Sequence, residues 1–176
     1  MSGAVIAVVS DVSDAALADG GEIEPLFRAH YARLVRALAL VCGDGEVAAD
    51  AVQEAFVRAH VRWRRLRHYE DPVGWIRRVA LNLVRDDHRR TVRKRRAVAR
   101  LASEPVVVGA EPEPDGLTTL LAALPRQQRV AVALFYVDGL SIAEVAATMG
   151  LAEGSVKSHL HDARQRLRGV IEGEDD

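Results

Sequence analysis

The chain has 176 residues, 49% hydrophobic and 28% charged, with one cysteine and a formal net charge of −1. This length holds one domain or two small ones, the lone Cys42 excludes a disulfide framework and fits a reducing cytosol, and the lack of a long apolar run excludes a membrane-spanning segment. The near-zero total conceals segregation: residues 26–100 carry eighteen basic and eight acidic side chains, +10, while residues 1–25 carry five acids and no Lys or Arg, the pattern of a surface that meets nucleic acid.

Residues 1–22 are small and acidic without a sustained period, which predicts a disordered segment. The short run AVIAVV at residues 4–9 has no basic flank, so it does not read as a secretory signal. From Glu24 to about Val41, the apolar positions Leu26, Phe27, Leu34, Leu38 and Val41 predict a first helix, ended by the turn Cys42-Gly43-Asp44-Gly45. A second helix follows from Glu46 to about Trp63, with Val47, Ala51, Val52, Ala55, Phe56 and Ala59 inward. After the polar connection RRLRHYED, Pro72 suits the first turn of a long third helix that reaches the basic run Arg93-Lys94-Arg95-Arg96. On that helix Trp75, Ile76, Val79, Ala80 and Leu83 share one side. Arg78, Asn82, Arg85 and Arg89 share another. Guanidinium groups on such a stripe hold phosphates and the amide reads a base, although a solvated arginine face has the same period.

Residues 101–116 break every period and hold three of the six prolines, which predicts a flexible acidic linker. Short helices are expected over Leu117–Leu124 and from Pro125 to about Val137, closed by Asp138-Gly139. The stretch LSIAEVAATMGLAEGSVKSHLHDARQRLR, residues 140–168, then predicts two helices around a tight turn. Ser141 and Glu144 form a capping box, Ile142, Val145, Ala146 and Met149 make one apolar face, and Gly150 suits the left-handed stop. In the second helix Val156, Leu160, Ala163 and Leu167 repeat inward. This leaves Ser155, Lys157, Ser158, His159, His161 and Arg164 outward, as in a helix-turn-helix unit that offers a recognition helix to the major groove. A helical hairpin in an all-helical core is the plainer reading of the same pattern. The fold class expected is therefore all-α, with residues 23–100 and 117–172 as two small helical domains.

The order of parts resembles a small bacterial RNA polymerase sigma factor of the extracytoplasmic-function group, in the sigma-70 family. DGEVAADAVQEAFVRAHVRW is similar to the region 2 segment that grips the polymerase clamp. DPVGWIRRVALNLVRDDHRR is similar to the helix that opens and reads the −10 element. The stretch from Leu124 to Arg168 is similar to the region 4 domain that reads the −35 element. The resemblance implies that Asp50, Gln53 and Glu54 bind the clamp of core polymerase, and that Asn82 lines a pocket for a flipped −10 base, completed by the loop from Leu66 to Asp71. Flipping costs a few kcal/mol of unstacking, offset by the pocket. It further implies that Arg78, Arg85 and Arg89 hold the melted strand, and that Ser155, Lys157, Ser158, His159, His161 and Arg164 face −35 duplex DNA. Partners implied are core RNA polymerase, through the clamp of its largest subunit and the flap of the second, promoter DNA as duplex and melted strand, and an anti-sigma factor. His159 and Asp162 depart from the arginines more usual at their positions, and Ala152 from a capping serine, so the −35 grip is expected to be modest.

No enzyme, cofactor, small-molecule substrate or metal site is expected. His159 and His161 are two apart on a helix, about 200° around the axis, whereas helical ligand pairs want three or four, and no phosphate-cradling glycine loop is present. His30, His60, His68 and His88 are expected at the surface. Two rival readings remain at this stage: a free-standing helix-turn-helix regulator that binds as a dimer, and a sigma-like adaptor that occupies polymerase without reading DNA.

Overall fold

The computed structural model describes residues 23–101 and 116–173. The expected N-terminal disorder and almost all of the expected linker lie outside them. Among the described residues all regular structure is helical. Helices α1 (Ile23–Cys42), α2 (Gly45–Val61), α3 (Trp63–Leu66) and α4 (Pro72–Leu101) form the N-terminal half. Helices α5 (Gly116–Ala122), α6 (Arg126–Val132), α7 (Ile142–Met149) and α8 (Glu153–Gly173) form the C-terminal half, with a π turn at Ala133–Val137 between α6 and α7.

Local chemistry accounts for the element ends. Asp44 caps α2 by accepting from the backbone N–H groups of Glu46 (2.8 Å) and Val47 (3.0 Å), a contact worth about 1 kcal/mol. Asp71 does the same for α4, accepting from Gly74 N at 2.7 Å. A Cβ at Gly74 would lie 1.8 Å from Asp71 Oδ2, so a side chain there would displace the carboxylate from its present position. The capping box at Ser141 and Glu144 forms as expected, and Gly150 ends α7 with φ +69°.

The N-terminal half is a bundle in which α1 packs on α2 and both pack on α4. The C-terminal half stacks α6 and α7 on α8. Its inward residues Val145, Val156, Leu160 and Ala163 are buried, and Leu167 is half-buried. Three features differ from expectation. The connection after α2 is not simply polar, because Trp63 and Leu66 of the one-turn α3 are buried and tether it to the bundle. The helix expected from Pro125 to Val137 widens into a π turn in its last five residues. Finally, the halves dock: α1 contacts α5, α6 and the π turn, while α4 contacts α7. The docked arrangement gives one continuous apolar cluster. Docking also explains why Arg77 of α4 is buried although it lies off the expected apolar side, since it pairs with Asp138 of the other half.

Candidate nucleic-acid interface

On α2, Asp50, Gln53 and Glu54 are all exposed, because their inward neighbours Ala51, Val52 and Ala55 are held in the bundle. At 100° per residue the three share an arc of about 100° with Val57 and Val61. Val57 is 51% and Val61 78% exposed. A face with acids and an amide at one end and two bare valines at the other suits a protein partner better than bulk water. The two valines were missed in the sequence, where they read as ordinary helix filler. Glu54 also accepts from Arg58 Nε at 2.7 Å on the same exposed face, a pair a partner would have to compete with.

On α4 the stripe expected from periodicity is present. Arg78, Asn82 and Arg89 are exposed and Arg85 is half-buried. Arg89 lies 4.0 Å from Asp86, a loose i,i+3 pair. A further cation reaches the stripe from the other half: partial burial, then Arg85, Arg89 and Arg129, hold the Arg126 guanidinium below the usual arginine range. Nothing in the local pattern of LPRQQR announces that proximity.

Beside the N-terminal turns of α4 lies an open cleft of about 380 Å³, lined by Arg58, Arg62, Arg65, Leu66, Tyr69, Trp75 and Val79. The expected loop supplies Leu66 and Tyr69 to it. Trp75, expected in the core, is only half-buried and forms one wall. Asn82 does not line this cleft; it sits about one turn along the helix from Val79, exposed. The cleft offers three guanidinium groups and two aromatic rings, a combination that holds a stacked base beside phosphate. Arg58 and Arg62 lie at the end of the expected second helix and Arg65 in the polar connection, and nothing in the local pattern joins them.

On α8, Ser155, Lys157, Ser158, His161 and Arg164 are exposed, and His159 is half-buried. Arg164 folds along its own helix, donating from Nε to Leu160 O at 3.1 Å. Asp162 is exposed on the same helix, so this face carries less positive charge than α4.

Residues 26–95 match the family model described as Sigma-70 region 2, and residues 115–167 the one described as Sigma-70, region 4. The chain is 33% identical over 172 residues to the ECF RNA polymerase sigma factor SigL of Mycobacterium tuberculosis, covering 92% of this chain and 95% of that one. The chain belongs to the ECF group of sigma-70 factors. To SigE of Mycolicibacterium smegmatis, another such factor, it is 34% identical over 161 residues, which is 84% of this chain but only 61% of the relative's length. Among solved structures, the Bartonella quintana sigma factor RpoE, crystallised with the anti-sigma factor NepR, superposes with a TM-score of 0.70 at 21% identity. The match covers 85% of this chain and 96% of that one, and it establishes the fold. CnrH, in complex with the cytosolic domain of CnrY, superposes with a TM-score of 0.62 at 26% identity, covering 90% and 95%.

As an ECF sigma factor the chain is a promoter-directing initiation factor and not an enzyme. Among the described residues no helix is long and apolar enough to cross a membrane, and no group of His, Cys, Asp or Glu is arranged to hold a metal ion.

Proposed function

We propose that this sigma factor divides its work among three exposed faces, acting in the cytoplasm on core RNA polymerase and promoter DNA. The α2 face of Asp50, Gln53, Glu54, Val57 and Val61 grips the polymerase clamp. The α4 stripe of Arg78, Asn82, Arg85 and Arg89 captures the melted −10 strand, with the aromatic and arginine cleft beside it receiving a flipped base. The outward face of α8, from Ser155 to Arg164, reads the −35 duplex. One observation carries the division: each face is outward and mostly exposed, with only Arg85 and His159 half-buried, opposite a packed inward side, and each lies in the family region whose work it would do.

The chemistry of initiation then belongs to the polymerase. This chain contributes recognition, charge neutralisation and a pocket that offsets the unstacking of one base. A weak −35 reader suffices because polymerase makes the second DNA contact intramolecular. The anti-sigma factor NepR bound to the solved Bartonella quintana relative supports an anti-sigma partner for this chain too.

The test is complex formation with core polymerase of the source organism, followed by transcription from its promoters. Replacing Asp50, Gln53 and Glu54 together with alanine abolishes the complex if the α2 face is the grip. A complex of unchanged stability would refute that assignment.

A further inference from the structure

Among the described residues, the ion pairs that join residues distant in sequence both end on Asp138. Its Oδ1 accepts from Arg33 Nε at 3.0 Å and its Oδ2 from Arg77 Nε at 2.7 Å. The Asp138 side chain has no solvent exposure and that of Arg77 only 6%, while that of Arg33 keeps 39%. The other pairs, Glu24 with Arg28, Glu54 with Arg58 and Asp86 with Arg89, are exposed and join neighbours on one helix. Thus, among the described residues, the one fully buried carboxylate of the C-terminal half is satisfied by two guanidinium groups of the N-terminal half.

The backbone is shaped for this contact. The Asp138 N–H donates to Ala133 O at 3.0 Å, five residues back. The π turn re-phases the end of the helix and delivers Asp138 to α1 and α4. A second link accompanies it, Arg129 donating to Val41 O at 3.3 Å.

Energetics argue for a reversible contact. Burying a carboxylate and a guanidinium costs desolvation that roughly cancels their attraction, so such pairs fix a geometry more than they add stability. On separation all three charges regain water. Removing only one partner is different, because it leaves an unpaired charge inside the closed form.

The closed arrangement also conflicts with the work of the two halves. Elements named for positions −10 and −35 are about 25 base pairs, or about 85 Å, apart on duplex DNA at 3.4 Å per pair. Here α7, which supports the recognition helix, packs directly on α4, which carries the strand stripe. Arg126 crowds Arg85 and Arg89 of that stripe. The two halves must part before both elements can be engaged.

We propose that Asp138 is an intramolecular latch: it holds the chain closed by occupying Arg33 and Arg77, and its release frees both guanidinium groups for DNA phosphate. The latch rests on geometry alone; only its consequence for promoters rests on the sigma reading. Release adds cations beside Arg78, so closure and strand binding compete for the same positive charge.

The experiment uses the full chain with Asp138→Asn, and Arg33→Gln as the milder variant. Small-angle scattering reports the radius of gyration, circular dichroism the helix content, and titration at several salt concentrations the binding of a mixed-sequence 20-nucleotide single strand. Asp138→Asn should enlarge the radius at native helix content and tighten strand binding at least about tenfold, since the closed form then buries an unpaired Arg77. The salt slope should steepen by about 1.4 for two freed phosphate contacts. Native helix content with unchanged radius and affinity overturns the latch. If Asp138→Asn loses helix, Arg33→Gln decides: a larger radius at native helix content supports the latch, and an unchanged one overturns it. Core polymerase binding by the native chain, measured separately, tests the sigma reading without touching the latch.

Discussion

The two DNA-facing helices differ in how they carry charge. On α4 the outward stripe has three arginines and one amide within about 60° of arc. On α8 the outward candidates include only Lys157 and Arg164 as fixed cations, among serines and histidines, with Asp162 exposed beside them. Phosphate contacts dominate affinity while base contacts discriminate. The N-terminal half is thus built to hold a strand, and the C-terminal half to inspect a duplex once something else has brought it there. The polymerase grip on α2 is what makes the weaker of the two sufficient.

The largest expected effect tests that dependence. Loss of the Asp50, Gln53 and Glu54 side chains should weaken the polymerase complex by about 30-fold or more and abolish −35 recognition with it, read by promoter footprinting. A footprint that survives at −35 would show that α8 binds duplex unaided and would erase the contrast. Next, Arg85→Ala with Arg89→Ala should flatten the salt dependence of single-strand binding by about 1.4 in slope and slow open-complex formation, with −35 duplex binding untouched. An unchanged slope would remove phosphate contact from the stripe. Sharpening from the other side, Asp162→Arg should strengthen duplex binding and steepen its salt slope by about 0.9 if one new phosphate is met. No gain would place that position away from the backbone.

The smallest effect concerns the hairpin that supports α8. Ser141→Ala should lower stability by about 1 kcal/mol, measured by urea unfolding. Hydrogen bonds from the Ser141 hydroxyl and backbone hold the Glu144 carboxyl below its ordinary value of 4.5. The unfolded chain therefore takes up that proton first, and the cap's contribution is full above pH 4.5 and fades as pH falls below it. In Ser141→Ala that acid-side loss should be smaller. An identical acid-side loss would remove the hydroxyl from the cause.

Local rules were legible where the partners are local. The capping box at Ser141 and Glu144, the left-handed Gly150, the inward sides of α2 and α8 and the α4 stripe all follow from residues of a single helix and its caps. What escaped the sequence depends on distant partners. Arg77 reads as one more surface arginine until Asp138, 61 residues on, is docked against it. Asp138 itself reads as half of an Asp-Gly helix stop. The cleft escaped because Trp63 and Leu66 anchor a connection that composition alone marks as loose, bringing Arg65 and Tyr69 beside Arg58 and Arg62 of the preceding helix. Val57 and Val61 are a different kind of miss, since their exposure matters only in view of the acids that share their face.

The π turn at Ala133–Val137 sets a constraint on chain length. A regular helix places one residue every 100° and 1.5 Å, so the turn stores one residue that a straight helix would not accommodate in phase. Deleting a single residue there would restore ordinary winding, swing Asp138 about a quarter-turn from Arg33 and Arg77, and shift Leu140, now buried, with it. Helix content would barely change, yet the two halves would lose their common register. Between Arg126 and Ser141, this sigma factor should therefore tolerate substitutions far better than insertions or deletions.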